Sequence, residues 1–104
     1  MRLARVVGKV TMSRKLPEFP VGRLLLVEPL DVEGVANIEG PSRNSPSDSA
    51  LVVFDELGAG EGGVIAISEG REASMPWWPT HAPVDSYCVA LIDNVNVKRE
   101  LMSA

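Results

Sequence analysis

The chain reads as short apolar segments with a period of two, separated by glycine and proline. From Arg2 to Met12 the even positions hold Ala4, Val6, Gly8, Val10 and Met12, while the odd ones include Arg5, Lys9 and Thr11. Such alternation describes a strand with one wet face and predicts the even face inward. Gly8 within it predicts a bulge or a sharp bend, as at a barrel corner. Pro17 and Pro20 break the chain. A second strand is expected over Gly22 to Val27, apolar on both faces through Leu24, Leu25, Leu26 and Val27. Pro29 marks its edge or exit.

Residues 33–49 have another character, with Gly34, Gly40, Pro41, Pro46 and serines at 42, 45, 47 and 49. This composition predicts a long, polar, mobile loop, with Val35 to Ile38 as a brief strand inside it. A third strand is expected at Ala50 to Phe54 and a fourth at Val64 to Ile67. The stretch Gly58-Ala59-Gly60-Glu61-Gly62-Gly63 joins them. Arg71 to Met75 fits one helical turn, and Pro76, Pro79 and Pro83 enclose a rigid loop. Asp85 is placed to cap another short turn. The fifth strand is expected from Tyr87 to Val97, with Val89, Leu91, Val95 and Val97 on one face. Cys88 alternates with Ala90 and Ile92 and reads as a packing residue rather than a reactive thiol. No segment sustains a helical period, so the fold class is mainly all-β: a small five-stranded barrel with one or two short helical turns.

A length of 104 residues makes this one domain, 1–104, with a thin core that gains from burial in an oligomer. Its longest apolar run, Tyr87 to Ile92, is far below the roughly 20 residues of a spanning helix. Charges inside the first nine residues exclude a secretion signal. One cysteine, Cys88, and one histidine, His81, exclude an internal disulfide and argue against a Cys- or His-based metal site. Such cysteine usage fits a reducing cytosol.

Charge is unevenly spread. Residues 1–23 carry six basic and one acidic side chain, and residues 24–97 carry two basic and twelve acidic ones. A basic edge and an acidic body are thereby available to meet in neighbouring copies, although such asymmetry is most often surface solvation.

Four motifs invite functional readings. Gly58, Gly60 and Gly63 satisfy the spacing of a dinucleotide fingerprint, which works by delivering a phosphate to a helix N-terminus. Here a strand pattern follows and Glu61 repels phosphate, so a tight glycine turn with positive φ is the better reading. Pro76-Trp77-Trp78-Pro79 spells the signature of a chromatin-reader domain, but it sits late in an acidic chain. The prolines more simply pin two aromatics for packing on the barrel or on another subunit. His81, Asp85 and Ser86 form a nucleophile set by composition alone, with no nucleophile elbow. Asp55, Glu56 and Glu61 around a glycine turn are commonly solvated rather than cation-binding. No catalytic residue, cofactor or metal is expected. An oligonucleotide-binding barrel needs a basic groove with aromatic platforms on its strands, and this chain has net charge −4.

Four stretches carry a resemblance to a known family. They are Met1-Arg2-Leu3-Ala4-Arg5-Val6-Val7-Gly8-Lys9-Val10, Gly22-Arg23-Leu24-Leu25-Leu26-Val27-Glu28-Pro29-Leu30-Asp31, the run from Ala50 to Gly62, and Pro83-Val84-Asp85 followed by Leu91-Ile92-Asp93. In this order and spacing, over about half the chain, they resemble the EutN/CcmL shell-vertex proteins of bacterial microcompartments. The chain departs from the family pattern at Gly63, where Glu is frequent, and at Ser74, where Arg is expected. Loop 33–49 and the Pro-Trp-Trp-Pro segment are longer than usual.

The resemblance implies an OB-like barrel assembling into a homo-pentamer. That pentamer would close the vertices of a cytoplasmic protein shell otherwise tiled by hexameric shell proteins, without catalysis, nucleic acid or membrane. It makes the glycine turn, Gly58, Ala59, Gly60, Glu61 and Gly62, a candidate ring interface or axis. Arg2, Arg5, Lys9, Trp77 and Trp78 become candidate subunit or shell contacts. The rival readings are a free-standing OB-like module for a small ligand or single-stranded nucleic acid, and a small enzyme.

Overall fold

The computed structural model describes residues 1–31, 34–35 and 49–98. Five strands form one closed barrel: β1 (Arg2–Val10), β2 (Arg23–Pro29), β3 (Leu51–Asp55), β4 (Val64–Glu69) and β5 (Ser86–Ile92). Around the barrel they follow the order β1-β2-β3-β5-β4. A 3₁₀ helix, Gly70–Trp77, links β4 to the segment before β5.

Each barrel strand turns alternate residues inward. Ala4, Val6, Leu25, Val27, Val53, Ile65, Ile67 and Cys88 fill the interior, joined by Ala59 from the glycine turn. Cys88 is a packing residue as expected, although Ala90, expected on the same face, pairs with Ala66 on the other one. A second apolar cluster lies outside the barrel wall: Phe54, Ala73, Ala82 and Val84, flanked by Phe19, Leu24, Trp77 and Tyr87. The 3₁₀ helix and the proline-bounded loop therefore serve as a cover for the outer face of β3 and β5.

Two bulges overturn parts of the simple alternation. In β1, Val6 pairs with Val27 and Gly8 pairs with Leu26, so Val7 is the extra residue. An extra residue reverses the parity beyond it. Lys9 consequently pairs with buried Leu25, and Val10 pairs with Leu24 on the outer face. Val10 and Met12 thus do not continue the inward face expected from the even positions. In β5, Ala66 pairs with Ala90 and Ile67 with Cys88, leaving Val89 as the extra residue. The expected common face of Val89, Leu91, Val95 and Val97 is broken there, and the strand ends at Ile92.

The remaining boundaries shift by a residue or two. β2 extends to Pro29, which occupies its end as an exit residue. Val35 lies in a helical turn, not a strand: its N–H reaches Asp31 O at 2.9 Å, and Asp31 Oδ1 accepts from Gly34 N at 2.8 Å. Apart from residues 34, 35 and 49, the loop expected at 33–49 lies outside the described residues.

Candidate assembly site: the glycine turn and its neighbours

The link from β3 to β4 is organised by a carboxylate. Asp55 is fully buried because it ends β3 on the inward parity, opposite Arg23. Its Oδ1 accepts from Leu57 N at 2.9 Å. Its Oδ2 accepts from Gly58 N at 3.2 Å and Ala59 N at 2.9 Å. Arg23 stands 3.6 Å from the same Oδ2 and donates to Ala59 O at 3.0 Å. A buried charge is tolerated when its lone pairs are filled in this way. Asp55 is therefore not part of an acidic surface with Glu56 and Glu61, as its position in the sequence implied. The signal for its actual role was Asp three residues before Gly, the pattern of a side chain folding its own turn.

Positive φ falls at Gly58 (88°) and Gly62 (86°), not at Gly60. Gly63 N donates to Gly60 O at 3.0 Å, so Gly62 is the third residue of a β-turn, where a type II turn requires positive φ. Gly62 N donates to Val6 O at 2.8 Å, and Val6 N to Gly63 O at 2.9 Å. The turn is thereby laced to the middle of β1, and Arg5 Nη1 caps the lacing by donating to Gly62 O at 3.0 Å. A Cβ at Gly60 would meet no described residue within 4 Å.

The basic residues of β1 separate into two places. Arg2 grips Glu69 at the end of β4 through two parallel bonds, Nε to Oε1 at 2.6 Å and Nη2 to Oε2 at 2.8 Å. That bond raises the Arg2 pKa and holds Glu69 below the usual carboxylate range. Arg5 lies against the glycine turn. Lys9 is roughly 20 Å from Arg2 along the strand, at the mouth of a groove formed with the β1–β2 loop.

The two tryptophans also separate. Trp77 packs edge-on against Phe54 at 5.1 Å and Tyr87 at 5.3 Å between ring centres. Trp78 is 59% exposed and meets His81 edge-on at 5.8 Å. Met75, three residues before Trp78, is exposed too, and its carbonyl accepts from Trp78 N at 3.0 Å where the helix ends. Among the described residues no hydrogen bond joins His81 to Asp85 or Ser86, and no group of carboxylate, histidine and cysteine side chains could hold a metal ion. Among the described residues no helix is long and apolar enough to cross a membrane.

The chain is thus a closed five-stranded barrel with a laced glycine turn between its third and fourth strands. The family described as "Ethanolamine utilisation protein EutN/carboxysome" matches residues 1–93, and the chain belongs to this EutN/CcmL family. It is 32% identical over 97 residues to the carboxysome shell vertex protein CcmL of Synechocystis sp., covering 93% of this chain and 87% of that one. It is 31% identical over 96 residues to the microcompartment shell vertex protein PduN of Salmonella typhimurium, covering 92% and 99%. Among solved structures, the pentameric shell protein GrpN of Rhodospirillum rubrum superposes with a TM-score of 0.71 at 28% identity, covering 94% of this chain and all of that one.

Proposed function

We infer that this protein is a structural shell component that forms pentamers at the vertices of a bacterial microcompartment in the cytoplasm. The observation that carries this reading is similarity over more than 90% of the chain, in sequence and in barrel geometry, to a shell vertex protein (92%) and to a pentameric shell protein (94%). The inner core is small, nine residues among those described with Leu51 packed on it, so burial between copies is a physical gain for the chain. A structural role needs no catalytic group, and the exposed His81 and Asp85 form no constellation with Ser86.

A ring requires unlike patches that meet in each neighbour. We propose the turn Gly58, Ala59, Gly60, Glu61 and Gly62, with Arg5 bonded to it and Arg2 nearby on β1, as one such patch. The exposed carboxylates Glu56 and Glu61 supply acidic charge for a neighbour's basic strand. Trp78 and Met75, backed by Trp77, form a separate apolar ridge suited to a bordering subunit, and hexameric shell proteins are the proposed neighbours there. Lys9 belongs to a different region from Arg2 and Arg5. Neither nucleic acid nor membrane has a part in this reading.

Native mass spectrometry decides the assembly. A mass of five chains is expected at micromolar concentration. A monomer or dimer would refute the ring, and a hexamer would keep the shell role and remove the vertex role.

A further inference from the structure

The bulge at Val7 has a consequence outside the core. By reversing parity it puts Lys9 on the same face as Leu25, hence as a diagonal neighbour of Arg23 across the β1–β2 pair. The segment between the two strands then returns past them and encloses a groove of about 500 Å³. Lys9, Arg14, Lys15 and Arg23 line it, over an apolar floor that includes Phe19 and Leu24. The hydroxyls of Thr11 and Ser13 add neutral donors.

The charge of this groove is compensated only at Arg23 among the described residues. Lys9, Arg14 and Lys15 have no carboxylate partner there. Arg23 is held in place by Ala59 O and Asp55, on one edge of its guanidinium, while half of its side chain remains exposed. Asp55 is buried and fully occupied by three backbone N–H groups. Glu18, the only carboxylate of the β1–β2 connection, is not among the lining side chains. Three cations without a carboxylate partner, and Arg23 with Asp55 on one side of it, converge on one concave surface of a chain whose net charge is −4. Their mutual repulsion is relieved by an anion held among them, and the volume suits a small molecule rather than a folded partner.

We propose that this groove binds a small polyanion bearing phosphate or carboxylate groups, with Arg14 and Lys15 supplied by the loop and Lys9 and Arg23 by the strands. Arg23 is already oriented, so its fork offers directed bonds at little entropic cost. The site gives each subunit of the shell vertex a receptor for a charged metabolite. It rests on the vertex reading only for that setting, since every lining residue comes from one chain.

Isothermal titration of the full-length protein with inorganic pyrophosphate, and separately with citrate, at constant ionic strength tests this. Saturable binding of one polyanion per subunit is expected, and the tighter of the two identifies phosphate or carboxylate as the preferred group. The double variant Arg14→Ser/Lys15→Ser should weaken that binding about tenfold or more, as loss of charge-assisted bonds does. Arg71→Ser, which removes an exposed cation elsewhere, should leave it unchanged. Native mass is measured on the same samples. No saturable binding of either probe overturns the proposal, as does equal weakening by Arg71→Ser. A double variant that loses the ring together with the binding would assign these cations to a subunit contact and likewise overturn it. A wild-type monomer that still binds would refute the pentamer while leaving the groove's ligand intact.

Discussion

Phe54 and Tyr87 are paired twice. They are the backbone partners of the parallel bridge between β3 and β5, and their rings stack at 6.1 Å with an interplanar angle of 13°. One pair is a short ladder for closing a barrel, and the outer aromatic cluster of Phe19, Phe54, Trp77 and Tyr87 lies on that seam. Replacing Phe54 by Ala should cost about 3–5 kcal/mol. Amide hydrogen exchange should then accelerate first in β3 and β5, and uniform acceleration around the barrel would contradict a local seam.

The Tyr87 hydroxyl donates to Glu56 Oε1 at 2.8 Å. That bond, with burial and the Glu56 charge behind it, pushes the phenol pKa up to about 12. The neutral phenol is the form that the fold favours. Its stabilising contribution is therefore complete below the ordinary value of 10.0 and is lost as pH rises towards about 12. Tyr87 is the only tyrosine, so tyrosinate absorbance reports it alone. Glu56→Gln should move the titration down towards 10, and an unchanged midpoint would discount the bond.

Asp55→Ala should be among the most damaging single changes. It strips three backbone N–H groups of their acceptor and costs about 3 kcal/mol in chemical denaturation. Asp55→Asn keeps one carbonyl oxygen and should fall between Ala and wild type.

The glycines of the turn should separate by backbone geometry. Gly58→Ala and Gly62→Ala place a Cβ at positive φ and should each cost about 1 kcal/mol or more. Gly60→Ala meets no described residue of the subunit and should change its melting by less than about 0.5 kcal/mol equivalent. If native mass shows the ring lost in Gly60→Ala with monomer stability intact, the turn touches a neighbouring copy.

Cys88 is 1% exposed, and burial is the main reason that its thiol pKa rises to about 11. Thiol reagents should label it only at the rate of unfolding. Rapid labelling at neutral pH under native conditions would place it elsewhere.

The barrel was legible in the sequence because period-two segments and glycine breaks each state a local rule. What escaped was parity. Val7 and Val89 are ordinary strand formers, and nothing in their chemistry announces that each is the extra residue of a bulge. Gly8 marked the first bulge to within one position, while the second had no such sign. Within the candidate site the glycine cluster was visible, but only coordinates distinguish Gly60 from its positive-φ neighbours. Asp55 was misread as surface charge because sequence alone does not tell a solvated carboxylate from one that folds its own turn. Trp77 and Trp78, adjacent in sequence, take opposite roles because the 3₁₀ helix ends between them.

A barrel closed through a single parallel bridge has little strand edge to lend. Copies of this chain, and whatever borders them, are therefore expected to join mainly through loops and side chains on the outside of the wall. Each such contact is replaceable one residue at a time without unpicking the sheet beneath. One unchanging tile can in this way be re-edged for shells of different curvature and content.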